Sequence, residues 1–161
     1  MEELENANET NLRLRSRAKA LQKAMPSFNY EKYKPPAKTR LSKPKRIQDN
    51  GNEYEGEWDE AGMKDGRGVE YWVDGSIYEG YWGDNMCNGE GRLIHADGDM
   101  YEGHWVNDKA QGYGVYSHSD GAKYEGHWLD DKQHGQGKET WANGDCYEGG
   151  FMEGKKHGEG T

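Results

Sequence analysis

No glycine occurs before position 51 and no proline after position 44. Each absence constrains its own segment. Without glycine, the first fifty residues have little access to left-handed backbone, and Pro26, Pro35, Pro36 and Pro44 interrupt any long helix or ladder there. Without proline, the remainder can carry unbroken strand pairing. Long apolar runs are also missing: none approaches the roughly 20 residues a membrane-crossing helix needs. No apolar signal core precedes a small-residue cleavage site, and Glu2, Glu3, Glu5 and Glu9 argue against an acid-poor transit peptide. Cys87 and Cys146 are too few for a disulfide framework. A soluble, intracellular, cytoplasmic protein is the expectation, neither secreted nor membrane-spanning.

Apolar residues make up only 32% of the 161 positions, too few for a conventional aliphatic core. Yet 6 Trp and 11 Tyr are too many aromatics for a disordered chain, and the 24 Gly are about twice the average share, so a thin aromatic-plus-glycine core is implied. Charge is split as sharply as glycine. Residues 1–50 hold 12 basic and 6 acidic residues, net +6; residues 51–161 hold 9 and 24, net -15. The pattern is a basic arm on an acidic body.

The body repeats. Tyr-Glu-Gly stands at 54–56, 78–80, 101–103, 124–126 and 147–149, at steps of 24, 23, 23 and 23 residues. Two places on comes a large aromatic: Trp58, Trp82, Trp105, Trp128 and Phe151. A Gly-x-Gly follows, then Asp-Gly or Asn-Gly at 74–75, 97–98, 120–121 and 143–144. The pattern resembles the MORN-repeat family, over roughly residues 51–160. The resemblance implies a non-catalytic scaffold. Family members include radial-spoke-head and other axonemal subunits, cytoskeletal scaffolds, junctophilins and regulatory regions attached to lipid kinases or a lysine methyltransferase. With neither a kinase nor a methyltransferase domain here, an assembly subunit of the ciliary axoneme is the specific expectation, resting on that analogy.

The physics of the residues leads to the same architecture. Side chains alternate along a strand, so Tyr54, Gly56 and Trp58 share one face and Glu55 and Glu57 the other. Asp-Gly and Asn-Gly suit tight reversals. Each unit should be two short antiparallel strands, in the third unit Tyr101–Val106 and Tyr113–Ser119, giving an all-β, single-sheet meander of nine or ten strands over 45–161. The aromatic face comprises Tyr54, Trp58, Tyr78, Trp82, Tyr101, Trp105, Tyr124, Trp128, Tyr147 and Phe151, its rings lying over the central glycines of the Tyr-Glu-Gly triplets. Residues 45–49 read as a half-unit cap whose edge is blunted by Ser42-Lys43-Pro44. The fifth unit reads as stopping before its second strand, leaving an edge near 147–151 either open to end-to-end pairing or the mark of a shortened form.

Residues 1–44 read as a separate arm. Thr10 can cap a helix over about 10–25 with Leu14, Ala18, Leu21 and Met25 on one face, ended by Pro26. Residues 26–44 read as extended. Two readings stay open for the arm. It folds back on its own acidic sheet or acts as a solubilising tail; or it docks on an acidic partner through Arg13, Arg15, Arg17, Lys19, Lys23, Phe28, Tyr30 and Tyr33. Anionic lipid is the alternative target, making the chain a membrane-surface adaptor; nothing specifies a base-reading module, so no nucleic acid is expected.

No residue set points to catalysis, a cofactor or a metal. The histidines fall into repeat columns, His95 with His118, His104 with His127 and His134 with His157, whose members stand too far apart (about 9–10 Å) to share an ion. The glutamates at 55, 79, 102, 125 and 148 form a periodic row, expected to be solvated or partner-facing. The Gly-x-Gly pairs open no helix, and neither a P-loop nor a nucleophile elbow is present.

Overall fold

The computed structural model describes residues 17–161. Thr10, Leu14, Arg13 and Arg15 lie outside the described residues. A helix runs over 17–24, Pro26 follows one residue after its end, and a 3-10 turn, Tyr30–Lys32, is capped by Asn29, whose side chain accepts the Glu31 N–H. Eleven strands complete the chain: β1 (Arg40–Ile47), β2 (Glu53–Asp59), β3 (Lys64–Tyr71), β4 (Ile77–Gly83), β5 (Met86–Ile94), β6 (Met100–Val106), β7 (Lys109–Ser117), β8 (Lys123–Leu129), β9 (Lys132–Thr140), β10 (Cys146–Met152) and β11 (Lys155–Gly160). They form one antiparallel sheet in sequence order.

Three expected boundaries move. The first strand begins at Arg40, not 45, because the chain passes through Lys43 and Pro44 by a bulge between Lys43 and Arg46. A proline is tolerated there because β1 is an edge strand. The second strand of the third unit begins at Lys109 rather than Tyr113. The fifth unit does include its second strand, since β11 pairs with β10. Eleven strands at about 4.8 Å spacing give a sheet roughly 48 Å wide.

The reversals are of two kinds. Between units, only the glycine of Asp-Gly or Asn-Gly takes positive φ, at Gly75, Gly98, Gly121 and Gly144. The preceding Asp or Asn has no positive φ, and its side chain accepts the N–H two residues on, as Asp74 does from Ser76 at 2.8 Å. In the second, third and fourth units the two-residue turns are Asp84-Asn85, Asn107-Asp108 and Asp130-Asp131, with both residues at positive φ. This is the hairpin geometry that matches strand twist. Each of these turns is also stitched to the unit before it. Asn85 accepts the Lys64 N–H, Asp108 that of Cys87 and Asp131 that of Ala110, at 2.7, 2.7 and 2.6 Å.

One row of glycines crosses the sheet from β2 to β11: Gly56, Gly68, Gly80, Gly91, Gly103, Gly114, Gly126, Gly137, Gly149 and Gly160 pair in turn. The tyrosine rings lie in this furrow. They sit closest not over the glycine of their own triplet but over its partner in the next strand: a Cβ on Gly68, Gly91 or Gly114 would overlap the ring of Tyr54, Tyr78 or Tyr101. Trp82, Trp105 and Trp128 then each stand edge-to-face between their own unit's tyrosine and the one before. Trp105 lies 5.0 Å from Tyr101 and 5.5 Å from Tyr78 between ring centroids. Phe151 takes the same place against Tyr124 and Tyr147. Such pairs are each worth about 0.5–1.5 kcal/mol beyond area burial.

Candidate binding face of the sheet

All ten residues expected on the aromatic face stand in the furrow or beside it, on a face that is largely self-covered. Tyrosine hydroxyls donate three residues along their own strand, Tyr54 to the Glu57 carbonyl, Tyr78 to that of Tyr81, Tyr101 to that of His104 and Tyr124 to that of His127. Trp82, Trp105 and Trp128 donate Nε1–H to the carbonyls of Gly68, Gly91 and Gly114 at 3.1–3.2 Å. Trp58 has no such acceptor: its Nε1 is buried and unpartnered, because β1 is bulged where the carbonyl would be. Burial holds these phenols protonated. Tyr54 and Tyr101 are raised far above the ordinary value near 10, and Tyr124 is pushed up to about 12.

The opposite face has two halves. The half over β3 to β6 is covered by the chain's own arm. Ala18 is fully buried against Ile77 and Ile94, with Leu21, Met25, Val69, Tyr71 and Met100 around them. Phe28 is buried and stacks edge-on against Tyr30 at 4.9 Å. Tyr30 and Tyr33 both pack on Tyr81, at 5.5 and 5.0 Å, and the Tyr81 hydroxyl donates to the Tyr30 carbonyl. Arg92 donates to the Pro26 carbonyl at 3.1 Å. Arg67 lies over the Tyr30 ring at 5.2 Å. Burial, with the Glu79 carboxylate second, holds the Tyr30 phenol well above its ordinary range. Of the arm residues singled out in the sequence, Phe28, Tyr30 and Tyr33 are thus seated on the sheet, Phe28 buried and the two tyrosines half-buried. Arg17, Lys19 and Lys23 are exposed.

Beyond residue 33 the arm is fastened by charge. Lys38 Nζ sits 2.9 Å from Asp59 and 3.1 Å from Asp65, and Arg40 Nε is 2.7 Å from Asp65. Asp59, Asp65 and Asp84 bring one carboxylate oxygen each within 4.8 Å of one another, a group that could hold a cation. Lys38 already supplies that charge to two of the three. The Met63 N–H first, and Lys38 second, hold the Asp59 carboxyl below its usual range.

The glutamate row is not a simple acidic stripe. Across the strands it reads Glu55, Val69, Glu79, Arg92, Glu102, Val115, Glu125, Lys138, Glu148. Glu79, expected to be solvated or partner-facing, is only 7% exposed and pairs with Arg92 at 3.3 Å under the arm. The correction follows from Arg92 and Lys138, which stand where the other units have valine. Sequence reasoning missed Ile77, Tyr81, Arg92 and Ile94 altogether. The signal was present: the position before each triplet tyrosine is Ile77 and Met100 under the arm but Lys123 and Cys146 beyond it, and Ile94 aligns with Ser117 and Thr140.

The second half, over β6 to β9, is uncovered among the described residues. Where it meets the arm there is a groove of about 620 Å³, walled by Met25 and Arg92 and floored by Glu102, His104, Tyr113 and Val115. Tyr113 is 57% exposed. His104 lies 3.3 Å from Glu90. No helix among the described residues is long and apolar enough to cross a membrane. A family model described as MORN repeat matches residues 54–77, 78–100, 101–123, 124–146 and 147–161. No curated protein matches the chain.

Proposed function

This chain belongs to the MORN-repeat family, and from that premise we propose that it is a non-catalytic structural subunit holding a protein partner in a larger assembly. MORN repeats are in general scaffolds that bind proteins or membranes. The observation that carries the protein-binding reading is the arm itself. It lies across the sheet, held by ring contacts and by hydrogen bonds from Tyr81 and Arg92 to its backbone carbonyls. A sheet that already seats one peptide offers a surface suited to another, and the repeats continue past the arm with Tyr113 open. Asp108 and Asp131 are engaged structurally, each accepting a backbone N–H from the unit before.

The ciliary axoneme, in a radial-spoke-like position, is the specific assembly we propose, by analogy within the family. Arg17, Lys19 and Lys23, with Arg13 and Arg15 ahead of them, are the arm's partner-facing residues in that reading. The alternative, an adaptor on anionic lipid, needs the stripe Ala18, Leu21 and Met25 for the acyl layer, yet these side chains are turned onto Ile77 and Ile94. Full-length chain isolated from its own cells should elute as a complex of fixed stoichiometry, and a tagged copy should lie along axonemes. A chain eluting alone would end the scaffold reading. Salt-sensitive sedimentation with phosphatidylserine vesicles, abolished by replacing Arg17, Lys19 and Lys23 with Ala, would favour the adaptor.

A further inference from the structure

We infer that the groove beside the arm binds an extended, lysine- and arginine-rich peptide segment of a partner protein, carrying at least one aromatic side chain, laid alongside the arm. The inference deepens the scaffold reading and rests on it. Three observations select this occupant. The first is continuity: Met25 of the arm forms one wall of the groove, so an incoming segment packs against the arm and extends the layer it began. The second is charge. The sheet portion is net -15 and the segment already seated on it belongs to a portion of net +6. Glu90 lines the groove beside His104, and Glu125, 2.9 Å from Lys123, stands across from Val115 on the next strand. A basic segment is drawn to such a surface and an acidic one repelled.

The third observation is the column of rings. Arg67 pairs with Tyr81, Glu90 with His104 and Tyr113 with His127 along one line across the face. At the covered end Tyr81 is 1% exposed because Tyr30 and Tyr33 lie on it, and Tyr33 reaches on to His104 at 6.2 Å. At the open end Tyr113 meets only His127 among the described rings, at 6.0 Å, and stays 57% exposed. The same edge-to-face seat is thus offered twice and filled once. The neighbouring column argues against a second amphipathic helix: its apolar residues Ile77, Ile94 and Met100 give way to Ser117 and Lys123 beyond the arm.

The test uses the full chain and a fluorescent synthetic peptide with the sequence of residues 26–40, which has the required chemistry. Fluorescence anisotropy should show saturable binding that weakens as salt rises. Tyr113→Ala should weaken it about tenfold, the scale of losing one aromatic anchor. Glu125→Gln should weaken it further, while both variants keep the wild-type circular dichroism, Glu125→Gln giving up only the exposed pair with Lys123. A peptide with Phe28, Tyr30 and Tyr33 all replaced by alanine should not saturate. Absence of saturable binding overturns the inference. So does binding that ignores Tyr113→Ala but strengthens when Tyr33→Ala loosens the resident arm, since the probe would then be exchanging with the arm. These failures differ from failure of the scaffold reading: a stable native complex cross-linked through the tryptophan face would leave the scaffold standing and remove only this groove.

Discussion

At the residue scale, the tryptophan row is a controlled comparison supplied by the fold. Trp82, Trp105 and Trp128 occupy equivalent places and donate Nε1–H to a glycine carbonyl, whereas the Nε1 of Trp58 is buried without a partner. Lys43 and Arg46 lie over the Trp58 ring instead, at 5.9 and 5.7 Å. A buried donor with no acceptor carries a desolvation penalty, while a satisfied one contributes a net ~1 kcal/mol. Replacement by phenylalanine keeps an aromatic ring, as Phe151 does naturally. Trp105→Phe should therefore cost about 1–2 kcal/mol in urea unfolding, with Gly91 left an unpaired carbonyl. Trp58→Phe should be neutral or slightly stabilising. Equal losses at the two positions would mean that ring size, not the indole N–H, sets the order.

At the scale of the element, the two-residue turns carry more than their hairpins. Asp108 holds a positive φ of 69° and its carboxylate also accepts the Cys87 N–H one unit back. Asn85 fills the corresponding place in the preceding unit and makes the equivalent bond to Lys64. Asp108→Asn should accordingly leave thermal stability nearly unchanged. Asp108→Ala, which loses the acceptor and tolerates left-handed backbone poorly, should cost about 1–3 kcal/mol. A melting-temperature series reads this directly, and an alanine variant as stable as wild type would show the stitch to be idle. These turns were illegible in the sequence because Asp84-Asn85, Asn107-Asp108 and Asp130-Asp131 lack the Asn-Gly or Asp-Gly signature, which marked the inter-unit reversals instead. The same preference for shared features hid the seat of the arm. Tyr54, Gly56 and Trp58 were readable because they recur, so the meander and its aromatic face followed from period and alternation. Tyr81, Arg92 and Ile94 were not, because what singles them out is departure from the repeat: tyrosine where His104 and His127 stand, arginine where Val69 and Val115 stand, isoleucine where Ser117 stands. The helix register of Ala18, Leu21 and Met25 said only that a surface was needed, and two surfaces remained open to it.

At the scale of the molecule, a single sheet without a second layer has no common core, and its stability is distributed by neighbourhood. Two gradients follow. One is in pH. Tyr54, Tyr78, Tyr101 and Tyr124 are all raised above the ordinary phenol value near 10, chiefly by burial. Above that value the unfolded chain loses protons that the folded chain keeps, so the stabilisation is complete below about pH 10 and is lost as pH climbs through the folded values. Tyrosinate absorbance should lag the free-phenol curve and then rise together with loss of sheet signal; titration of all eleven tyrosines near 10 in a folded chain would contradict the burial. The other gradient is along the sheet. Tyr78, Tyr81, Trp82, Ile77 and Ile94 on β4 and β5 are buried from both sides, by the furrow rings and by the arm, whereas β9 is half-exposed to exposed throughout and β10 buries only Gly149 and Phe151. Local opening tracks the apolar contacts that must be broken. Amide hydrogen exchange should therefore be slowest in β4 and β5 and fastest in β9 to β11. Replacing Tyr30 and Tyr33 together by alanine should loosen the arm from Tyr81 and accelerate exchange in β3 to β5, while β9 and β10, which lie away from Tyr30 and Tyr33, keep their rates. Uniform exchange along the wild-type sheet, or a double variant whose β4 and β5 protection is unchanged, would mean that the arm contributes no stability to the strands beneath it.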